Sequence, residues 1–144
     1  MLGATAIIAL VYLTGVAFLG CQPSAGEVTF DELFSNPQRY NGRSLTIEGF
    51  YFHGFEVIVV TEELAPSGYA EGYLIPKGRM LWVEGGIPLE IYNRLYTQSM
   101  MGPTERYGRV RITGRFSYGG QYGHVGGYDA QITPSEVELL EWAP

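Results

Sequence analysis

The stretch "RSLTIEGFYFHG", residues 43 to 54, decides how the rest of the chain is read. Leu45 and Ile47 alternate with polar neighbours, the period of a strand with one buried face. Past Gly49 the apolar residues Phe50 and Phe52 take the other parity, and a glycine at such a switch predicts a bulge or a sharp bend. After Gly54, "EVIVV" at 56 to 60 is a β-branched run expected to be buried on both faces. The two strands should form a hairpin around His53 to Phe55.

Working outward, "TFDELFSNPQRYNG" at 29 to 42 opens with a capping pattern, Thr29 followed three residues later by Glu32. It predicts a short helix over Phe30 to Ser35, stopped by Asn36-Pro37. Residues 62 to 78 carry two prolines and three glycines without a sustained period and read as a long loop with room for a short strand. "RMLWVEGG" gives a third strand. In "IPLEIYNRLYTQS", residues 87 to 99, Ile87, Ile91 and Leu95 recur every four residues and predict an amphipathic helix. "GRVRITGRF" at 108 to 116 alternates cleanly, with Val110, Ile112 and Phe116 on one side and Arg109, Arg111 and Arg115 on the other. A glycine-tyrosine connection, "SYGGQYGHVGGYD", leads to a last strand in "AQITPSEVELLEW", broken near Pro134.

This order resembles an OB-fold, a five-stranded Greek-key barrel with its helix between strands three and four. The lead-in "NPQRYNGRSLTIEG" is similar to one that opens OB-like domains in uncharacterised bacterial exported proteins. The resemblance implies a mainly β domain over 29 to 144, with a short N-terminal helix before the barrel. It implies nothing about activity, because a fold alone does not assign function.

Residues 1 to 20 read as a signal peptide or membrane anchor, since Leu2 to Gly20 are 19 residues without a charge. Cys21 is the chain's only cysteine, and "FLGC" resembles the lipobox of bacterial lipoproteins, whose cysteine is lipidated. Gly20 fits that pattern, Leu19 and Phe18 depart from it, and no Lys or Arg precedes the apolar run. Residues 21 to 28 then form a tether. The expected location is extracytoplasmic and membrane-anchored, by lipid on Cys21 in preference to an uncleaved helix. The formal charge of −6 disfavours nucleic acid as a partner.

Catalysis has little support. His53 and His124 are the only histidines, no thiol is left once Cys21 is lipidated, and the motifs of phosphate loops, zinc proteases and serine hydrolases are absent. No metal or cofactor is expected. The candidate ligand surface is the fourth strand and the connection after it. Tyr118, Tyr122, His124 and Tyr128 lie on a glycine frame and offer rings for stacking, while Arg109, Arg111 and Arg115 offer forked donors. The competing reading makes the tyrosines packing residues and pairs the arginines with strand acids. The spacing in "HVGGY" resembles the haem-attachment motif of the periplasmic haem chaperone of cytochrome c maturation, which would make His124 the haem-linking residue and Tyr128 the iron ligand. That mapping ranks low, because a strand still follows the motif here. The expectation is a binding or interaction module for an extracytoplasmic protein or a polar polymer such as a glycan. The alternative is a structural or assembly subunit with no small ligand.

Overall fold

The computed structural model describes residues 25–144. The apolar run Leu2 to Gly20 and the lipidation candidate Cys21 lie outside the described residues. The capping pattern acts as expected: the Glu32 N–H donates to Thr29 Oγ1 at 3.2 Å, and the Thr29 N–H donates to Glu32 Oε2 at 2.8 Å. Helix α1 (Phe30–Ser35) follows and buries Phe30 and Leu33, and α2 (Pro37–Tyr40) carries its proline in the first turn, where no donor is lost. Among the described residues no helix is long and apolar enough to cross a membrane.

The architecture is mainly β. Strands β1 (Ser44–Gly54), β2 (Val57–Pro66), β3 (Leu74–Val83), β4 (Tyr96–Gln98), β5 (Glu105–Tyr122) and β6 (Tyr128–Leu139) form one mixed sheet in the order β1-β2-β3-β6-β5-β4. Because β1 also pairs with β5, five of them close a ring and β4 hangs on the β5 edge. The ring closes through a parallel seam, where β3 meets β6 at Trp82↔Gln131 and Val83↔Ile132. Alternate residues of every ring strand fill its interior: Leu45, Ile47, Tyr51, Val60, Leu81, Val83, Val110, Ile112, Phe116, Ala130 and Ile132. Each large aliphatic or aromatic side chain removed from water here stabilises by about 1.5–3 kcal/mol. On the opposite face Phe52, Val59 and Tyr107 form a second small core, packed against Leu64, Leu74 and Met80. The expectation that "EVIVV" is buried on both faces therefore holds, with Val60 in one core and Val59 in the other.

Four expectations are corrected. The register of β1 against β5 is unbroken from Ser44 to His53, so of the bulge or bend expected at Gly49 the bulge is not formed. It is instead a point of close approach, since a Cβ there would lie 2.7 Å from the Thr61 carbonyl oxygen and 2.9 Å from Val60 Cγ2. The region read as a long loop extends β2 and β3 into a hairpin arm, with Leu64↔Pro76, Ala65↔Ile75 and Pro66↔Leu74 paired. Tyr73 anchors this arm by donating from its hydroxyl to Glu105 Oε2 at 2.6 Å. The amphipathic helix shrinks to one turn, α3 (Leu89–Tyr92), because Tyr96–Gln98 leave the helical path to pair with Glu105–Tyr107 on the open β5 edge. The element between the third and fourth ring strands is thus a helical turn followed by an edge strand. Finally, β6 runs through Pro134 and absorbs it with a bulge, Ser135 donating its hydroxyl to the Thr113 carbonyl at 3.1 Å.

Candidate functional site

The seven residues singled out as ligand candidates do not form one surface. Arg109 and Arg111 project on the solvent parity of β5, as expected, and meet acids there. Arg111 Nη2 lies 2.5 Å from Glu48 Oε1 and Nη1 lies 2.6 Å from Glu138 Oε2, while Arg109 Nη2 lies 3.1 Å from Glu48 Oε2. Those contacts follow from the register, which sets Glu48 and Glu138 directly across from Arg111 on either side. Exposed pairs of this kind contribute about 0–1 kcal/mol each, but they occupy the forked donors of Arg111. Arg115 stands opposite Ser44 and Thr133 and, among the described residues, has no carboxylate partner.

The glycine-tyrosine connection is not a loop. Strand β5 continues through it to Tyr122 and turns in a 3-10 segment, His124–Gly126, so that Tyr122 pairs with Tyr128. Tyr118 is half-buried beside Phe116, and its N–H donates to Asn41 Oδ1 at 2.9 Å. Tyr128 tilts against Trp82, with ring centroids 5.5 Å apart, and burial raises its phenol above the ordinary range. Gly123 is wedged between those two rings: with φ +70 and a virtual Cβ 2.5 Å from Trp82 and 2.7 Å from Tyr128, no other residue fits. His124 faces Glu56 across the two hairpin tips, Nε2 to Oε2 at 3.3 Å. Both residues of the His-x-x-x-Tyr pattern are therefore engaged with protein neighbours. Among the described residues no group of three or more His, Cys, Asp or Glu side chains could hold a metal ion.

A groove of about 640 Å³ lies at the opposite end of β5, where β4, the first half of β5 and the C-terminal segment meet. Tyr96 and Trp142 provide its aromatic surface, Arg94, Arg109 and Glu141 its charges, and Leu95 and Leu139 its apolar floor. Trp142 is held edge-on to Phe50, Tyr96 and Tyr107, with centroid separations of 5.1, 5.8 and 6.2 Å. The Tyr96 hydroxyl donates to the Trp142 carbonyl at 2.9 Å, and the Leu140 N–H donates to the Arg109 carbonyl at 2.9 Å, which fixes the C-terminal segment along the groove. Gly108 lies beneath, and a Cβ there would come within 2.8 Å of Leu95 Cδ2. Of the candidates read from sequence, only Arg109 reaches this groove. Tyr96 and Trp142 were hidden because one was read on a helix and the other at the end of the last-strand segment, with no signal in the sequence to bring the two together.

A polar cluster sits nearby on β1. His53 and Arg106 are cross-strand partners, Arg106 lies 4.8 Å from the Tyr92 ring centroid, and His53 Nδ1 is buried without a hydrogen-bond partner. Burial, reinforced by the Arg106 charge, holds the imidazole below its ordinary pKa.

No family model, curated protein or solved structure matches the chain.

Proposed function

We propose that the five-strand ring is an OB-fold barrel and that the protein is a membrane-anchored extracytoplasmic binding module whose groove takes a polar polymer such as a glycan. The strand order and the parallel seam between β3 and β6 support the fold reading. The groove carries the functional one. Its volume lies within the usual range of ligand pockets, and it combines two aromatic rings with charged groups of both signs. Rings of this kind stack on the apolar faces of sugars, while Arg94, Arg109 and Glu141 supply donors and acceptors for hydroxyl groups. Nucleic acid is a poor fit to a chain of net charge −6.

The test is a glycan array probed with the full chain, compared with Trp142→Ala and Tyr96→Ala variants. Loss of one stacking ring should weaken binding by about 1–3 kcal/mol, roughly 5- to 150-fold, by analogy with ring stacking on bases. Signals equal for wild type and both variants would show that the groove is not the site. A second reading, an assembly subunit, is favoured by Phe55 and Val125, which stand 69% and 90% exposed at the two hairpin tips joined by His124 and Glu56. Recovery of a stoichiometric protein partner after mild crosslinking, lost in Phe55→Ser, would favour that role.

A further inference from the structure

The chain has nine cations, and four of them are paired with acids. Lys77, Arg79, Arg109 and Arg111 face carboxylates. Arg106 lies over Tyr92 and donates to its carbonyl, and Arg94 lines the groove. Arg39 lies over the Tyr40 ring at 5.8 Å; like Arg94 and Arg106, it, Arg43 and Arg115 have no carboxylate partner among the described residues, and the fold gathers the backbones of these three at one corner. The Gly42 N–H donates to the Phe116 carbonyl and the Phe116 N–H donates to the Arg43 carbonyl, both at 2.9 Å. Arg115 pairs with Ser44, the residue after Arg43. The Tyr118 N–H bond to Asn41 ties α2, which carries Arg39, to the same stretch of β5. Arg39 and Arg115 are exposed and Arg43 is half-buried.

The entry point of the chain coincides with this corner. The Ala25 N–H donates to the Ser44 carbonyl at 2.7 Å, so the polypeptide arrives from its N-terminal side directly beside Arg43 and Arg115. Four residues separate Cys21 from Ala25 counting the cysteine itself, and four residues span at most about 14 Å. A lipid on Cys21 would therefore hold this corner within reach of the headgroup layer.

Resting on the anchored reading given above, we infer that the exposed Arg39 and Arg115 form a docking surface for the anionic phosphate headgroups of the membrane that carries the anchor. Guanidinium groups match phosphate oxygens with paired donors. The domain as a whole, of net charge −6 and with Glu27 in the entry segment, is repelled by the same surface, so the attraction is confined to these arginines. Attraction at one corner and repulsion elsewhere set the orientation of the domain, with the entry corner toward the membrane and the Trp142 groove on the other half of β5.

The test uses the full chain on two kinds of vesicle, phosphatidylcholine alone and phosphatidylcholine mixed with phosphatidylglycerol, with phenylglyoxal modification of each arginine followed by peptide mass spectrometry. Arg39 and Arg115 should react roughly fivefold more slowly on the anionic vesicles, the factor expected for an arginine held at such a surface. Arg94 should react equally on both, and high salt should abolish the protection. Equal rates for Arg39 and Arg115 on the two vesicles, or equal slowing of Arg94, would overturn the inference. Flotation with phosphatidylcholine vesicles reads the anchor separately. A chain that fails to float there has no anchor, yet its arginine protection on excess anionic vesicles still decides the corner.

Discussion

Replacing Gly49 by alanine tests the central packing argument at a single atom. The added Cβ would lie 2.7 Å from the Thr61 carbonyl oxygen, about 0.7 Å inside the 3.4 Å at which ordinary contact begins. Val60 Cγ2 at 2.9 Å and Phe30 Cε2 at 3.0 Å crowd the same position from β2 and α1. The nearest obstacle is backbone and belongs to the Thr61 end of the β1–β2 pairing, so relief requires moving a paired strand. Overpacking of this kind costs about 1–3 kcal/mol, whereas alanine stabilises by about 0.4–1 kcal/mol through the unfolded chain. Because the obstacle is backbone, the upper part of that range applies, about 2–3 kcal/mol, and the expected net loss is about 1–2.6 kcal/mol, equivalent to a fall in Tm of roughly 4–12 °C for a domain of this size. Urea and thermal unfolding followed by circular dichroism measure it. Gly102→Ala is the control, because nothing lies within 4 Å of a Cβ there, and its stability should change by less than about 0.5 kcal/mol. A Gly49→Ala protein as stable as wild type would refute the close-approach account and return Gly49 to the role of a simple bend.

Two other substitutions probe the packing and the titration of the core. Because His53 titrates below its ordinary value in the folded state, the unfolded chain takes up its proton first, and its contribution to stability should fall as pH drops below about 6.5 toward the folded pKa. Unfolding of wild type and His53→Phe across pH 5 to 8 should show that slope only in wild type, and parallel profiles would remove His53 as its source. Gly123→Ala places a Cβ 2.5 Å from Trp82 at φ +70, so it should destabilise by about 1–3 kcal/mol and alter near-ultraviolet circular dichroism from the Trp82 and Tyr128 pair; an unchanged spectrum and Tm would contradict the wedge.

Much of the fold is legible locally. The Thr29 and Glu32 box, the alternation of 108 to 116 and the β-branched run at 57 to 60 each reported a structure that their own residues enforce. What stayed hidden depended on partners distant in sequence. Residues 62 to 66 and 74 to 78 look like loop because each half of the hairpin arm is stabilised by the other and by Glu105. Residues 96 to 98 keep a helical spacing yet become strand because the β5 edge offers hydrogen bonds to them. The site was harder still. Arginine and tyrosine content pointed to β5, but Arg111 is taken up by Glu48 and Glu138, and the groove is completed by Trp142, which no periodicity connected to Tyr96.

The segment Ala25–Val28 bears a mechanical consequence. It runs parallel to β1, bonded from Ala25 to the Ser44 carbonyl, from Thr46 to the Gly26 carbonyl and from Val28 to the Thr46 carbonyl, at 2.7, 2.9 and 2.9 Å. A pull on the chain ahead of Ala25 loads these three bonds together in shear along the strand axis, where an end-on attachment would let them open one after another. Any load carried along the chain ahead of Ala25 would enter the domain through this short splice, which is seated on the strand whose other edge is zipped to β5.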